Sequence, residues 1–149
     1  NTAAFEWYEQ LGLTDLELSY ELTLKQSAKI GGSLPRGLLL YGRLPLMLCR
    51  NCPGKNDGKN CKNCNGTTWL TDRKNIKFPV QCDYGCSEVL NAVPLTMSDR
   101  ISDISGMNFG ILRFTVENSV EIEETFQQFL YQKAPLGYYT RGLYEKGIK

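Results

Sequence analysis

Between Tyr41 and Asn91 the chain reads YGRLPLMLCRNCPGKNDGKNCKNCNGTTWLTDRKNIKFPVQCDYGCSEVLN. All six cysteines of the 149-residue sequence fall inside it, at Cys49, Cys52, Cys61, Cys64, Cys82 and Cys86. Cys49–Cys52 and Cys61–Cys64 form two CxxC pairs with eight residues between them. Two thiols at that spacing can grip one metal from a single turn, so ligation rather than packing is their expected use. Residues 68–82 read as two strands around a turn at Lys74-Asn75, a β-hairpin that backs the cysteines, with Pro79 suited to an edge position. The stretch therefore reads as an insertion, and the flanks supply its scaffold.

Towards the N-terminus, Ala4, Trp7, Tyr8 and Leu11 have helical spacing and Gly12 follows as a C-cap. Asp15–Ser19 alternates like a short strand. Thr23 with Gln26 forms a capping box for a second helix that ends at Gly31-Gly32, and Arg36–Tyr41 (RGLLLY) is a strand buried on both faces. Towards the C-terminus, Ala92–Met97 is strand-like and Ser98 caps a short helix to Ile104. Phe109–Val116 is the clearest strand. Asn118 and Glu121 open a helix with Ile122, Phe126, Phe129 and Leu130 on one face, and the segment from Ala134 is expected to run over the surface. Strands alternating with helices predict an α/β fold with a parallel sheet.

The chain has no histidine. Ser-His-Asp and Cys-His nucleophilic sites, HExxH zinc chemistry and imidazole ligands are thereby excluded within it. Any metal must be held by sulfur, with oxygen as the only supplement. Disulfides would require an oxidising compartment, which the composition does not favour. A closed zinc site would use Cys49, Cys52, Cys61 and Cys64. An iron–sulfur cluster takes four thiolates as well, and spacing does not separate the two.

No apolar run approaches the roughly 20 residues that span a bilayer, and no basic leader precedes the first helix, so a cytoplasmic protein without a membrane partner is expected. Net charge is +1, but Arg50–Lys77 holds seven basic residues against two acidic ones. That island balances a thiolate centre or meets the phosphates of RNA.

Several motifs together resemble the U32 peptidases, also called collagenase-like peptidases. They are LSYEL (18–22), YGRLPLM (41–47), NCP (51–53), CKNC (61–64), LTDRKNIKFPV (70–80), SEVLNAVPL (87–95) and YTRGLYEKG (139–147). The resemblance implies the C-terminal half of a TIM-like (β/α) barrel over residues 1–149, with a cysteine-rich insertion at 44–90 and the first strands outside this chain. It implies a four-iron (4Fe-4S) cluster on Cys52, Cys61, Cys64 and Cys82, with zinc as the alternative occupant. It also implies oxygen-independent hydroxylation of an RNA base, or the proteolysis in the family name. Glu21 and Arg43 follow predicted strands, where barrel active sites are built, and are the expected catalytic residues. Arg113 and Arg141 are the expected substrate-binding residues. A non-enzymatic alternative is a structural zinc module that contacts RNA or protein. A half-barrel on its own is expected to be inactive and to form a homodimer over its exposed strand edges.

Overall fold

The computed structural model describes residues 1–57, 66–83 and 85–147. Helix α1 (Thr2–Gln10) starts at Asn1, whose side chain accepts the Ala4 N–H at 2.9 Å, and stops before Gly12 at φ 79°. Strand β1 (Leu16–Glu17) follows, and then α2 (Leu24–Ser27), which carries the Thr23–Gln26 capping box. The second helix is one turn long instead of reaching Gly31. The Arg36 guanidinium takes the Ile30 and Gly32 carbonyls and lies 5.3 Å from the Phe5 ring centre, which turns the chain inward at that point.

Strand β2 (Arg36–Gly42) is the axis of the first sheet. One edge of β2 is shared by β1, parallel at Leu16↔Arg36, and β7 (Leu95–Thr96), antiparallel at Tyr41↔Thr96. The other edge takes β8 (Phe109–Leu112), parallel from Gly37↔Phe109. Parallel strands β1, β2 and β8 thus lie side by side in chain order, and the fold is α/β with both parallel and antiparallel pairing. The all-parallel expectation is corrected at β7. Its chain returns from the cysteine-rich insertion at the C-terminal end of β2, where Met97 N–H reaches the Leu40 carbonyl at 2.9 Å, so it enters in the opposite sense. Ser98 does not cap a helix. It is buried, its hydroxyl donates to the Lys133 carbonyl at 2.9 Å, and only a 3₁₀ turn at Ile101–Asp103 follows.

The expected hairpin is present as β4 (Thr67–Thr71) and β5 (Lys77–Asp83), and its turn is held by Asp72, whose carboxylate accepts from Lys74 and Ile76 N–H. It is half of a larger antiparallel sheet in the order β3-β6-β5-β4, completed by β3 (Pro45–Cys49) and β6 (Cys86–Leu90). Helix α3 (Ser119–Leu130) opens with the Asn118–Glu121 capping box, as its sequence predicts.

The main core gathers Phe5, Leu18, Leu38, Leu95, Met97 and Tyr144. Tyr144 overturns the expectation of a surface segment after Ala134. It is 2 % exposed, and its hydroxyl donates to the Leu39 carbonyl at 2.7 Å. Thr140 docks beside β7 by exchanging backbone bonds with Pro94 and Thr96, and this steers the following turn into the core.

Candidate functional site

The cysteines are organised by the second sheet. Across it, Cys49 stands opposite Ser87 and Ser87 opposite Cys82, so these three side chains share one face. The 3₁₀ turn Pro53–Asp57 covers that face, and Gly54 sits so close that an added Cβ would lie 2.5 Å from the Thr68 methyl. Cys52, at the start of this turn, hydrogen-bonds to the Cys82 thiol and the Ser87 hydroxyl. Cys82 Sγ and Ser87 Oγ are 3.0 Å apart. Burial would raise the Cys52 thiol, but the bonds from Cys82, from Gly54 N–H, from Ser87 and from Lys55 N–H together hold it below its ordinary value.

Two of the four expected ligands, Cys61 and Cys64, lie outside the described residues. The residues that border their segment are placed. Lys55 N–H bonds the Cys52 carbonyl at 3.1 Å, and the Gly66 carbonyl accepts the Cys82 N–H at 2.7 Å. The C-terminal border of that segment, Gly66, therefore sits against Cys82. Among the described residues no three His, Cys, Asp or Glu side chains converge, but the described part of the donor set, two adjoining thiols beside a hydroxyl, fits a thiolate-bound metal. Cys86 lies on the opposite face, paired with Asp83.

Arg43 lies elsewhere. Beyond the C-terminal ends of β2 and β8, between the first sheet, α3 and β4, is a cavity of about 390 Å³ lined by Tyr41, Arg43, Trp69, Thr96, Glu117 and Glu124, among others. Open α/β sheets bind ligands at this end of their strands. Arg43 Nε lies 3.6 Å from a Glu117 carboxylate oxygen, and its Nη1 donates to the carbonyls of Asn91, at 3.1 Å, and Ala92. The Glu117 side chain is only 4 % exposed. One of its oxygens accepts the Thr115 and Val116 N–H groups at 2.7 and 3.0 Å, and the other accepts the Tyr41 hydroxyl at 3.2 Å. Sequence reasoning missed Glu117 and Tyr41. The available signal was a carboxylate placed directly before the Asn118 helix cap at the end of a strand.

The remaining expected site residues are not gathered with Arg43. Glu21 follows β1 and lines a separate, mostly apolar cavity of about 400 Å³ beneath α1, with Asn1, Phe5 and Glu17. A shared location for Glu21 and Arg43 is thus corrected. Both follow parallel strands, yet their side chains enter different cavities. Arg113 pairs with Glu17 at 3.2 Å. Arg141 pairs with Asp99 at 2.7 Å and lies 4.7 Å from the Tyr139 ring centre. None of the described cysteines borders the Arg43 cavity. Gln81 and Cys82 are neighbours in a strand and point to opposite faces. Gln81 reaches the Thr115 carbonyl at 3.4 Å, towards the cavity, while Cys82 faces away from it.

Burial, with the Glu117 charge next, pushes the Tyr41 hydroxyl up to about 12 from its ordinary 10. Because the folded value is the higher one, the associated stability is complete below pH 10 and is lost as pH rises towards 12. Chemical unfolding from pH 8 to 12 is expected to show a fall across that window, shallower in Tyr41→Phe. An equally steep fall in the variant would remove Tyr41 as its source.

No protein-family model, curated protein or solved structure matches the chain.

Proposed function

We propose that this chain is the C-terminal part of a barrel enzyme resembling the U32 family, with Cys52, Cys61, Cys64 and Cys82 holding an iron–sulfur cluster. The whole enzyme then hydroxylates an RNA base without oxygen. The observation that carries this reading is the meeting of Cys52 and Cys82, with Gly66, which borders the Cys61–Cys64 segment, bonded to Cys82. Parallel β1, β2 and β8 in chain order support the barrel. RNA as partner is supported by Arg50, Lys55, Arg73, Lys74 and Lys77, all exposed on and around the cysteine-bearing sheet. A bound cluster supplies electron transfer. The chain's own contribution is to hold it through thiolates whose charge the neighbouring N–H and hydroxyl groups stabilise.

One observation favours a second reading, a structural zinc on Cys49, Cys52, Cys61 and Cys64. Cys49 is aligned with Cys82 across Ser87, and both face away from the Arg43 cavity. Metal, sulfide and visible absorbance of anaerobically prepared variants separate the readings. Cys82→Ala is expected to lose the iron and the colour, and Cys49→Ala to keep them. Colourless protein whose zinc survives Cys82→Ala and is lost in Cys49→Ala would transfer the site to zinc. Base-modification profiles of RNA from cells lacking the protein test the reaction, and an unchanged profile counts against hydroxylation. Peptide release from gelatin by the whole enzyme, abolished by Glu21→Gln, would favour proteolysis instead.

A further inference from the structure

The cavity that contains Arg43 has features the internal ion pair does not use. Arg43 and Glu117 neutralise each other, so the remaining charge comes from Glu121 and Glu124 on the cavity wall. Glu121 is occupied in part, since one of its oxygens caps α3 by accepting the Asn118 N–H at 2.8 Å. Glu124 makes no hydrogen bond or ion pair among the described residues. Aromatic rings complete the wall. Trp69 is 44 % exposed and Tyr138 is 90 % exposed.

A second observation is independent of these carboxylates. Thr96 is 2 % exposed, yet its hydroxyl has no hydrogen-bond partner among the described residues. Thr96 stands directly opposite Tyr41 in the β2–β7 pair, so the two side chains share a face. Tyr41 points its hydroxyl to Glu117 inside the cavity, and Thr96 therefore points the same way. A buried hydroxyl left without a partner costs on the order of 1–3 kcal/mol, a loss that a ligand's N–H would remove.

We propose that this cavity binds a guanidinium group on an unbranched stem. Glu124 and Glu121 supply the counter-charge, Trp69 and Tyr138 the flat surfaces for stacking, and the Thr96 hydroxyl accepts an N–H. A guanidinium suits the site better than a compact ammonium because it is planar, stacks on rings and presents several N–H groups to separate acceptors. The excess negative charge disfavours phosphate-bearing ligands. The site is distinct from the cysteine centre, which lies on the other face of the intervening sheet. Such a group comes either from an arginine side chain of a peptide or from a free guanidinium amine.

The test is titration of the whole chain, followed by the Trp69 indole N–H signal in ¹⁵N-resolved NMR. The probes are Nα-acetylarginine amide, agmatine and the neutral isostere Nα-acetylcitrulline amide. At least one guanidinium probe is expected to shift the Trp69 signal saturably and at least tenfold more tightly than the citrulline compound. Glu124→Gln, at an exposed helix position, is expected to weaken binding about tenfold. Preference for the acetylated amide assigns the site to an arginine side chain, and preference for agmatine assigns it to a free amine. No saturable shift with either guanidinium probe, equal binding of the citrulline compound, or unchanged affinity in Glu124→Gln each overturns the proposal.

Discussion

Tyr144→Ala is expected to destabilise the protein by about 3–5 kcal/mol, the range for removing a large buried aromatic side chain. Tyr144 lies in the segment after Ala134 whose composition places it on the surface, where a small effect is the usual expectation. It nonetheless packs with Phe5, Leu18, Leu38, Leu95 and Met97. Its ring closes the core that the short strands β1 and β7 leave open on one edge of β2. Tyr144→Phe keeps the ring but loses the 2.7 Å bond to the Leu39 carbonyl, and should cost about 1 kcal/mol. Denaturant unfolding of both variants measures the difference. A loss below about 1 kcal/mol for the alanine variant would mean that this segment is not docked in solution.

Arg43→Ala is expected to cost about 3–5 kcal/mol, because it strands a buried carboxylate rather than merely deleting a contact. Glu117 would keep two backbone N–H donors and the Tyr41 hydroxyl, but no cation. The carbonyls of Asn91 and Ala92 would lose their donor at the same time, which loosens the base of the cysteine-bearing sheet. Arg43→Lys should recover only part of the loss, since an ammonium cannot reproduce the guanidinium's span from Glu117 to two carbonyls. Combining Arg43→Met with Glu117→Gln should cost clearly less than the sum of the single changes, because the second change removes the orphaned charge left by the first. Additive losses would show that the two residues do not act as a pair.

Both expectations concern residues whose role is long-range, and that is where sequence reading and structure part. Thr23 with Gln26 was recognisable as a capping box, and Asn118 with Glu121 as a helix start, because every bond in such a cap lies within four residues. The β4–β5 hairpin was recognisable for the same reason, with its turn closed by Asp72. β6 was missed, since its strand character depends on β3 and β5, and the β3 partner lies about forty residues away. Arg43 was selected as a candidate, but its partner Glu117 is distant in sequence and appears only once β8 lies beside β2.

The sequence by itself determined the N-terminal caps of α2 and α3, the central strand, the hairpin and the sulfur-only chemistry of any metal site. Those features rest on short-range hydrogen bonding, side-chain period and residue type. Tertiary structure decided which thiols meet, which way β7 runs, and that Tyr144 is buried. It also decided that Cys49 and Cys82 face away from the Arg43 cavity across one sheet. A one-residue change in register exchanges those faces, and register is set by the partner strands, which no local pattern specifies.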